Sequence, residues 1–112
     1  MTIEILYFAD CPNYLPTVER VREALQVECT SAEIRHVEVP DAADAATRGF
    51  LGSPSIRING VDVEPSARSG GVVGMCCRTY TVGGARDGVP STELICRAIR
   101  ELRNSRRGDC CA

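Results

Sequence analysis

Thr2-Ile3-Glu4-Ile5-Leu6-Tyr7-Phe8-Ala9-Asp10-Cys11-Pro12-Asn13-Tyr14 is the stretch on which the reading of this chain turns. Its first part is a run rich in Ile, Leu, Tyr and Phe that breaks at Ala9-Asp10-Cys11-Pro12-Asn13, as a buried strand breaks into a turn. From Tyr14 the period changes. Val18, Val21 and Leu25 recur at helical spacing while Glu19, Arg20, Arg22 and Glu23 take the other face, which predicts an amphipathic helix. Pro16 fits its first turn, where backbone N–H groups lack an intrahelical partner. A cysteine therefore stands between a strand and the mouth of a helix, where the helix dipole favours thiolate and the neighbouring Asp10 carboxylate opposes it.

Working outward, Ala32 to Val39 interleaves Ile34, Val37 and Val39 with charges and reads as a second strand closed by Pro40. Asp41 and Asp44 open a short helix over Ala42 to Arg48, which Gly49 ends. The segment 55–64 alternates apolar residues around Asn59-Gly60, the dipeptide best suited to a two-residue hairpin turn, and so predicts strands three and four. Residues 65–90 hold six glycines and two prolines with little periodicity. They read as a long surface excursion, with one extended stretch at Arg78 to Val82. A last helix starts near Ser91, buries Ile95, Ala98, Ile99 and Leu102, and turns Arg97, Arg100 and Arg103 to solvent. The domain is expected to span residues 1–103, followed by a mobile cysteine-containing tail over 104–112. The order strand, helix, strand, helix, hairpin, helix suits an α/β fold with a four-stranded mixed sheet, since a helical crossover makes the first pair parallel and a tight turn makes the last pair antiparallel.

A chain of 112 residues supports one domain and one site. No apolar run approaches a membrane span, and Met1-Thr2-Ile3-Glu4 does not resemble a secretory leader, so a cytoplasmic protein without a membrane partner is expected. With 13 basic and 15 acidic residues there is no overall basic footprint for nucleic acid. Every basic residue is arginine, which excludes lysine as base or Schiff-base nucleophile. Seven cysteines are far above ordinary usage and are read as functional thiols rather than a secreted disulfide framework. Cys29 and Cys96, inside predicted helices, are expected to pack as small hydrophobes. His36, mid-strand, is read as structural. No zinc spacing, phosphate loop, paired-carboxylate signature or serine elbow is present.

Cys11-Pro12-Asn13-Tyr14 after the first strand, and Gly52-Ser53-Pro54-Ser55 before the hairpin, make the chain resemble the thioredoxin and glutaredoxin group. With Cys77-Arg78-Thr79-Tyr80, it looks like a family of short bacterial thioredoxin-like proteins, some of them labelled alkylmercury lyase. The resemblance implies a thioredoxin-like βαβαββα fold, a reactive Cys11, and a cis peptide bond before Pro54 that turns backbone towards the sulfur. Tyr14 stands where a Cys-x-x-Cys motif has its second cysteine, so Cys11 acts as a monothiol or finds a partner elsewhere. Cys76 and Cys77 are the candidate partners. Cys110 and Cys111 resemble the paired C-terminal cysteines of mercuric ion reductases and would act as a collecting arm.

The expected function is therefore capture or transfer of a soft metal or electrophile, mercury(II) or an organomercurial, with Cys11, Cys76, Cys77, Cys110 and Cys111 as metal ligands and no obligatory cofactor. Thiol–disulfide exchange is the rival, with Cys11 as nucleophile and Cys77 resolving a mixed disulfide with a small thiol or disulfide substrate. An alkylmercury lyase would add Asp10 as proton donor. A non-catalytic interaction module would need none of these thiols.

Overall fold

The computed structural model describes residues 1–82 and 84–104. Cys110 and Cys111 lie outside the described residues. Strand β1 (Thr2–Tyr7) leads to helix α1 (Tyr14–Val27), strand β2 (Glu33–Glu38), helix α2 (Ala42–Arg48) and the hairpin of β3 (Ser55–Ile58) and β4 (Val61–Asp62). A 3-10 turn (Pro65–Ala67), a second hairpin of β5 (Tyr80–Val82) and β6 (Ala85–Asp87), and helix α3 (Thr92–Asn104) follow. The main sheet has the order β2-β1-β3-β4. β1 runs parallel to β2 in the register Ile3↔Ile34 and antiparallel to β3 in the register Ile5↔Ile56. The described residues thus form a mixed α/β fold with a four-stranded mixed sheet and three α-helices.

Strand alternation sends Ile3, Ile5, Ile56 and Ile58 to one face, where Val18, Val21 and Ala24 of α1 and Ile95, Ala98 and Ile99 of α3 complete the main core. Leu6 takes the other face with Val39, Phe50 and Ala45 of α2. Burial of each large aliphatic here contributes about 1.5–3 kcal/mol. Local signals agree with these layers. The Asp44 N–H donates to Asp41 Oδ1 (2.8 Å) at the start of α2, and Gly49 closes it at φ 64°. Asn59 and Gly60 both take positive φ, 52° and 84°, as a tight hairpin requires.

Three expectations are corrected. The segment 65–90 is more than a surface excursion, because Arg78 and Tyr80 are buried within it and β5 pairs with β6. Arg103 does not simply face solvent: it donates to the Glu28 carbonyl (2.9 Å) at the C-terminus of α1, and with Arg100 it holds the Glu28 carboxylate. Asn104 belongs to α3 and not to a tail. No described helix is long and apolar enough to cross a membrane.

Candidate functional site

At the end of β1 the chain turns tightly, with the Cys11 N–H donating to the Phe8 carbonyl at 3.3 Å. Asp10 is exposed and sits at φ 66°, a left-handed conformation that Asp tolerates better than most residues. Cys11 is half-buried, and its carbonyl accepts the Tyr14 N–H (3.3 Å) as α1 begins. No acidic residue occupies the first turn of α1, so nothing there cancels the positive end of its dipole.

The segment facing this turn is Gly52-Ser53-Pro54-Ser55. The Ser53–Pro54 peptide bond is cis, and the Phe8 N–H donates to Ser53 Oγ at 3.3 Å. Ser53 is also tied to the cysteine pair downstream. Its N–H donates to the Cys76 carbonyl (2.9 Å), its carbonyl accepts the Arg78 N–H (2.9 Å), and the result is a parallel bridge between Ser53 and Cys77. Gly52 makes this approach feasible: at φ 115°, a Cβ there would stand 3.0 Å from both Arg78 Cβ and the Cys76 carbonyl oxygen. The returning loop reaches the other side of the turn too, where Gly88 lies against the Asn13 side chain.

Two side chains anchor the cysteine segment from below. Arg78, 7 % exposed, forms a bidentate ion pair with Asp62, also buried, at 2.7 and 2.8 Å. It also donates to Ser55 Oγ (3.0 Å) and Glu64 (3.3 Å) and stacks over the Tyr80 ring at 4.7 Å. Burial opposes the Arg78 charge, but the hydrogen bonds and charge of Asp62 outweigh it and hold the guanidinium protonated. The Tyr80 hydroxyl donates to the Pro54 carbonyl at 2.5 Å, and burial pushes that phenol well above its ordinary range. Because inward and outward residues alternate, Arg78 and Tyr80 point in while Cys77 and Thr79 are exposed. The clamp therefore presents Cys77 next to the cis-proline segment.

Of the sequence-predicted residues, Cys11, Pro54 and Cys77 are linked through Ser53 and Phe8, whereas Asp10 is on the same turn with its side chain in solvent. Cys76 is exposed, its thiol making only a long contact (3.7 Å) with the Gly74 carbonyl. Among the described residues no three His, Cys, Asp or Glu side chains are grouped closely enough to hold a metal ion, and all five cysteines are free thiols. His36 is exposed and shares a 2.6 Å hydrogen bond with the Tyr14 hydroxyl, while Tyr14 stacks on Tyr7 at 3.8 Å. Burial, and then Tyr7, raise the Tyr14 phenol above its usual range, so it remains protonated beside the imidazole.

Cys96 is buried on α3 as expected, with burial and then Glu28 pushing its thiol up, but Cys29 is exposed just beyond α1 at φ 49°. Alkylation of the native protein is therefore expected to reach Cys29, Cys76 and Cys77 roughly tenfold or more faster than Cys96. Peptide mapping after timed iodoacetamide quenching reads the order, and equal labelling of Cys96 would contradict its placement.

Two hollows flank these elements. One, about 460 Å³, is lined by Arg48, Arg57 and Arg68 with Asp62. Two of its cations are already spent, Arg48 on Asp44 and Arg68 on Glu101. The other is a groove of about 300 Å³ lined by Phe8, Ala9, Glu38, Val39, Pro40 and Met75. It adjoins both cysteine segments through the chain, since Ala9 leads into Asp10-Cys11 and Met75 into Cys76-Cys77.

Sequence reasoning singled out Cys77-Arg78-Thr79-Tyr80 but not the roles of Arg78 and Tyr80, and it read Ser55, Asp62 and Glu64 only as part of the hairpin segment, without a role in the site. The available signal was the alternation of Arg78 and Tyr80 beside an acidic hairpin strand, which a buried arginine disguises as surface. No protein-family model matches the chain, and no significant similarity is found to any curated protein or solved structure.

Proposed function

We propose that the chain is a thioredoxin-like thiol protein that captures a soft electrophile at Cys11 and shares or exchanges it with Cys77. The observation that supports this reading is the backbone bridge between Ser53 and Cys77, which brings the main chain of an exposed cysteine beside the residue whose hydroxyl accepts the Phe8 N–H at the start of the Cys11 turn. The β2-β1-β3-β4 order, the cis bond before Pro54 and the half-buried sulfur at the mouth of α1 support the thioredoxin-like assignment. Mercury(II) or an organomercurial suits two thiolates, because soft ions prefer sulfur donors. Cys76, next to Cys77 in the chain, is a further candidate donor, and a reducing cytoplasmic setting would keep these sulfurs free.

One equivalent of mercury(II) is expected to protect Cys11 and Cys77 from alkylation together. Cys11→Ser or Cys77→Ser should weaken the complex about 10²–10⁴-fold, the advantage that the second thiol gives once the first is bound. Competition against a small thiol, followed by mass mapping, measures both. Protection of Cys110 and Cys111 with Cys11 fully reactive would sink the reading.

Thiol–disulfide exchange is favoured by one further observation: Cys77 rides on a hydrogen-bonded segment fixed in register and not on a loose arm. Under that reading, equilibration with a glutathione buffer yields a Cys11–Cys77 disulfide, which requires their α-carbons to come within about 7 Å.

A further inference from the structure

We infer that the site takes a low-molecular-weight electrophile bearing an apolar, uncharged substituent and does not take an extended polypeptide. The inference rests on Cys11 being the attacking thiol and adds the class of substrate it attacks. Extended peptides dock by adding a strand to free backbone groups. The backbone groups tied to the Cys11 turn through Phe8 are those of Ser53, and both are used by the chain itself, the N–H by the Cys76 carbonyl and the carbonyl by the Arg78 N–H. The segment cannot peel away cheaply, since Arg78 is held by the buried Asp62 pair and Tyr80 by the Pro54 carbonyl. Among the described residues β2 is an edge strand, and its exposed Glu33, Arg35 and Glu38 are charges that resist strand addition.

A small substituent has a place to lie. The groove of Phe8, Ala9, Val39, Pro40 and Met75 begins at the residue whose carbonyl binds the Cys11 N–H, and continues to the residue before Cys76. Met75 is 38 % exposed, with a polarizable thioether suited to aromatic or alkyl contacts. Among the described lining residues Glu38 alone is charged, so an anionic substituent meets repulsion there and a neutral one does not. With a disulfide R–S–S–R as electrophile, the Cys11 thiol first loses its proton to solvent. Its sulfur then attacks one sulfur of the substrate, a Cys11–S–R bond forms, and the old S–S bond breaks. The electron pair of that bond leaves with RS⁻, which is protonated by water. The substrate is reduced and Cys11 oxidised.

The test uses the full chain and three disulfides: 2,2′-dithiodipyridine as the neutral aromatic probe, its dicarboxylated nitrophenyl counterpart as the anionic probe, and an extended decapeptide carrying a mixed disulfide. Rates of adduct formation at Cys11, each divided by the rate with free cysteine, are read by peptide mapping. The neutral probe is expected to exceed both others by about tenfold or more, and Met75→Asp, a surface change, to lower the neutral rate by about tenfold. A peptide rate equal to the neutral rate, or a neutral rate unmoved by Met75→Asp, overturns the inference while leaving Cys11 as nucleophile. No adduct at Cys11 with any probe overturns the underlying reading and the inference with it.

Discussion

Asp62→Ala is expected to destabilise the protein by about 3–5 kcal/mol, because it removes the bidentate partner of the buried Arg78 guanidinium and leaves it the longer contact to the partly exposed Glu64 (3.3 Å). Against the roughly 5–15 kcal/mol total of an ordinary domain, that is a large fraction. Urea unfolding with two spectroscopic probes measures it, and Asp62→Asn, which keeps the shape and one acceptor, should lose less. The pair Asp62→Leu with Arg78→Met supplies the decisive comparison. If the loss comes from a poorly compensated buried charge, removing both charges should restore most of the stability even though the bidentate bond is gone. A double variant as unstable as Asp62→Ala would mean that the geometry of the pair, and not charge burial, holds the segment.

The second large effect is expected at Gly52. Gly52→Ala combines a φ of 115°, which side-chain-bearing residues rarely adopt, with a Cβ 3.0 Å from two atoms of the 76–78 segment. Strain and overpacking together predict a loss of about 2–5 kcal/mol. Gly49→Ala is the matched control, since Gly49 also has positive φ (64°) but nothing within 4 Å of the added carbon. It should cost only about 1–2 kcal/mol. The two also differ in a local readout: Gly52→Ala should speed exchange of the Ser53 and Arg78 amide hydrogens, whose bonds cross the crowded interface, and Gly49→Ala should not. Equal effects of the two substitutions would mean that the close approach of the two segments does not matter.

How much of this was legible in the sequence follows from the range of the forces involved. Local chemistry was readable: the Asp41 cap, the Gly49 stop and the Asn59-Gly60 turn each act within a few residues, and each stands where the sequence puts it. The faces of α1 and α3 were readable because the helical period is stamped on their apolar residues. The clamp was not. Arg78 is bonded to a partner 16 residues earlier, and Tyr80 to one 26 residues earlier, so no local pattern announces either. An arginine also reads as surface until its counterion is seen beside it. Cys29 failed differently: the helix ends at Val27, two residues before it, and the residue turns outward in a left-handed conformation.

The main core also sets a timetable for synthesis. Ile3 and Ile5 of the first strand are sealed by Ile95 and Ile99 of the last helix, and Arg100 and Arg103 fasten that helix to the end of α1. Cys11 thus leaves the ribosome while the elements that shelter its surroundings have yet to be translated. At about 5–20 residues per second the interval is on the order of 5–20 s. During that window the Cys11 thiol exists without the closed core that surrounds its strand in the folded protein.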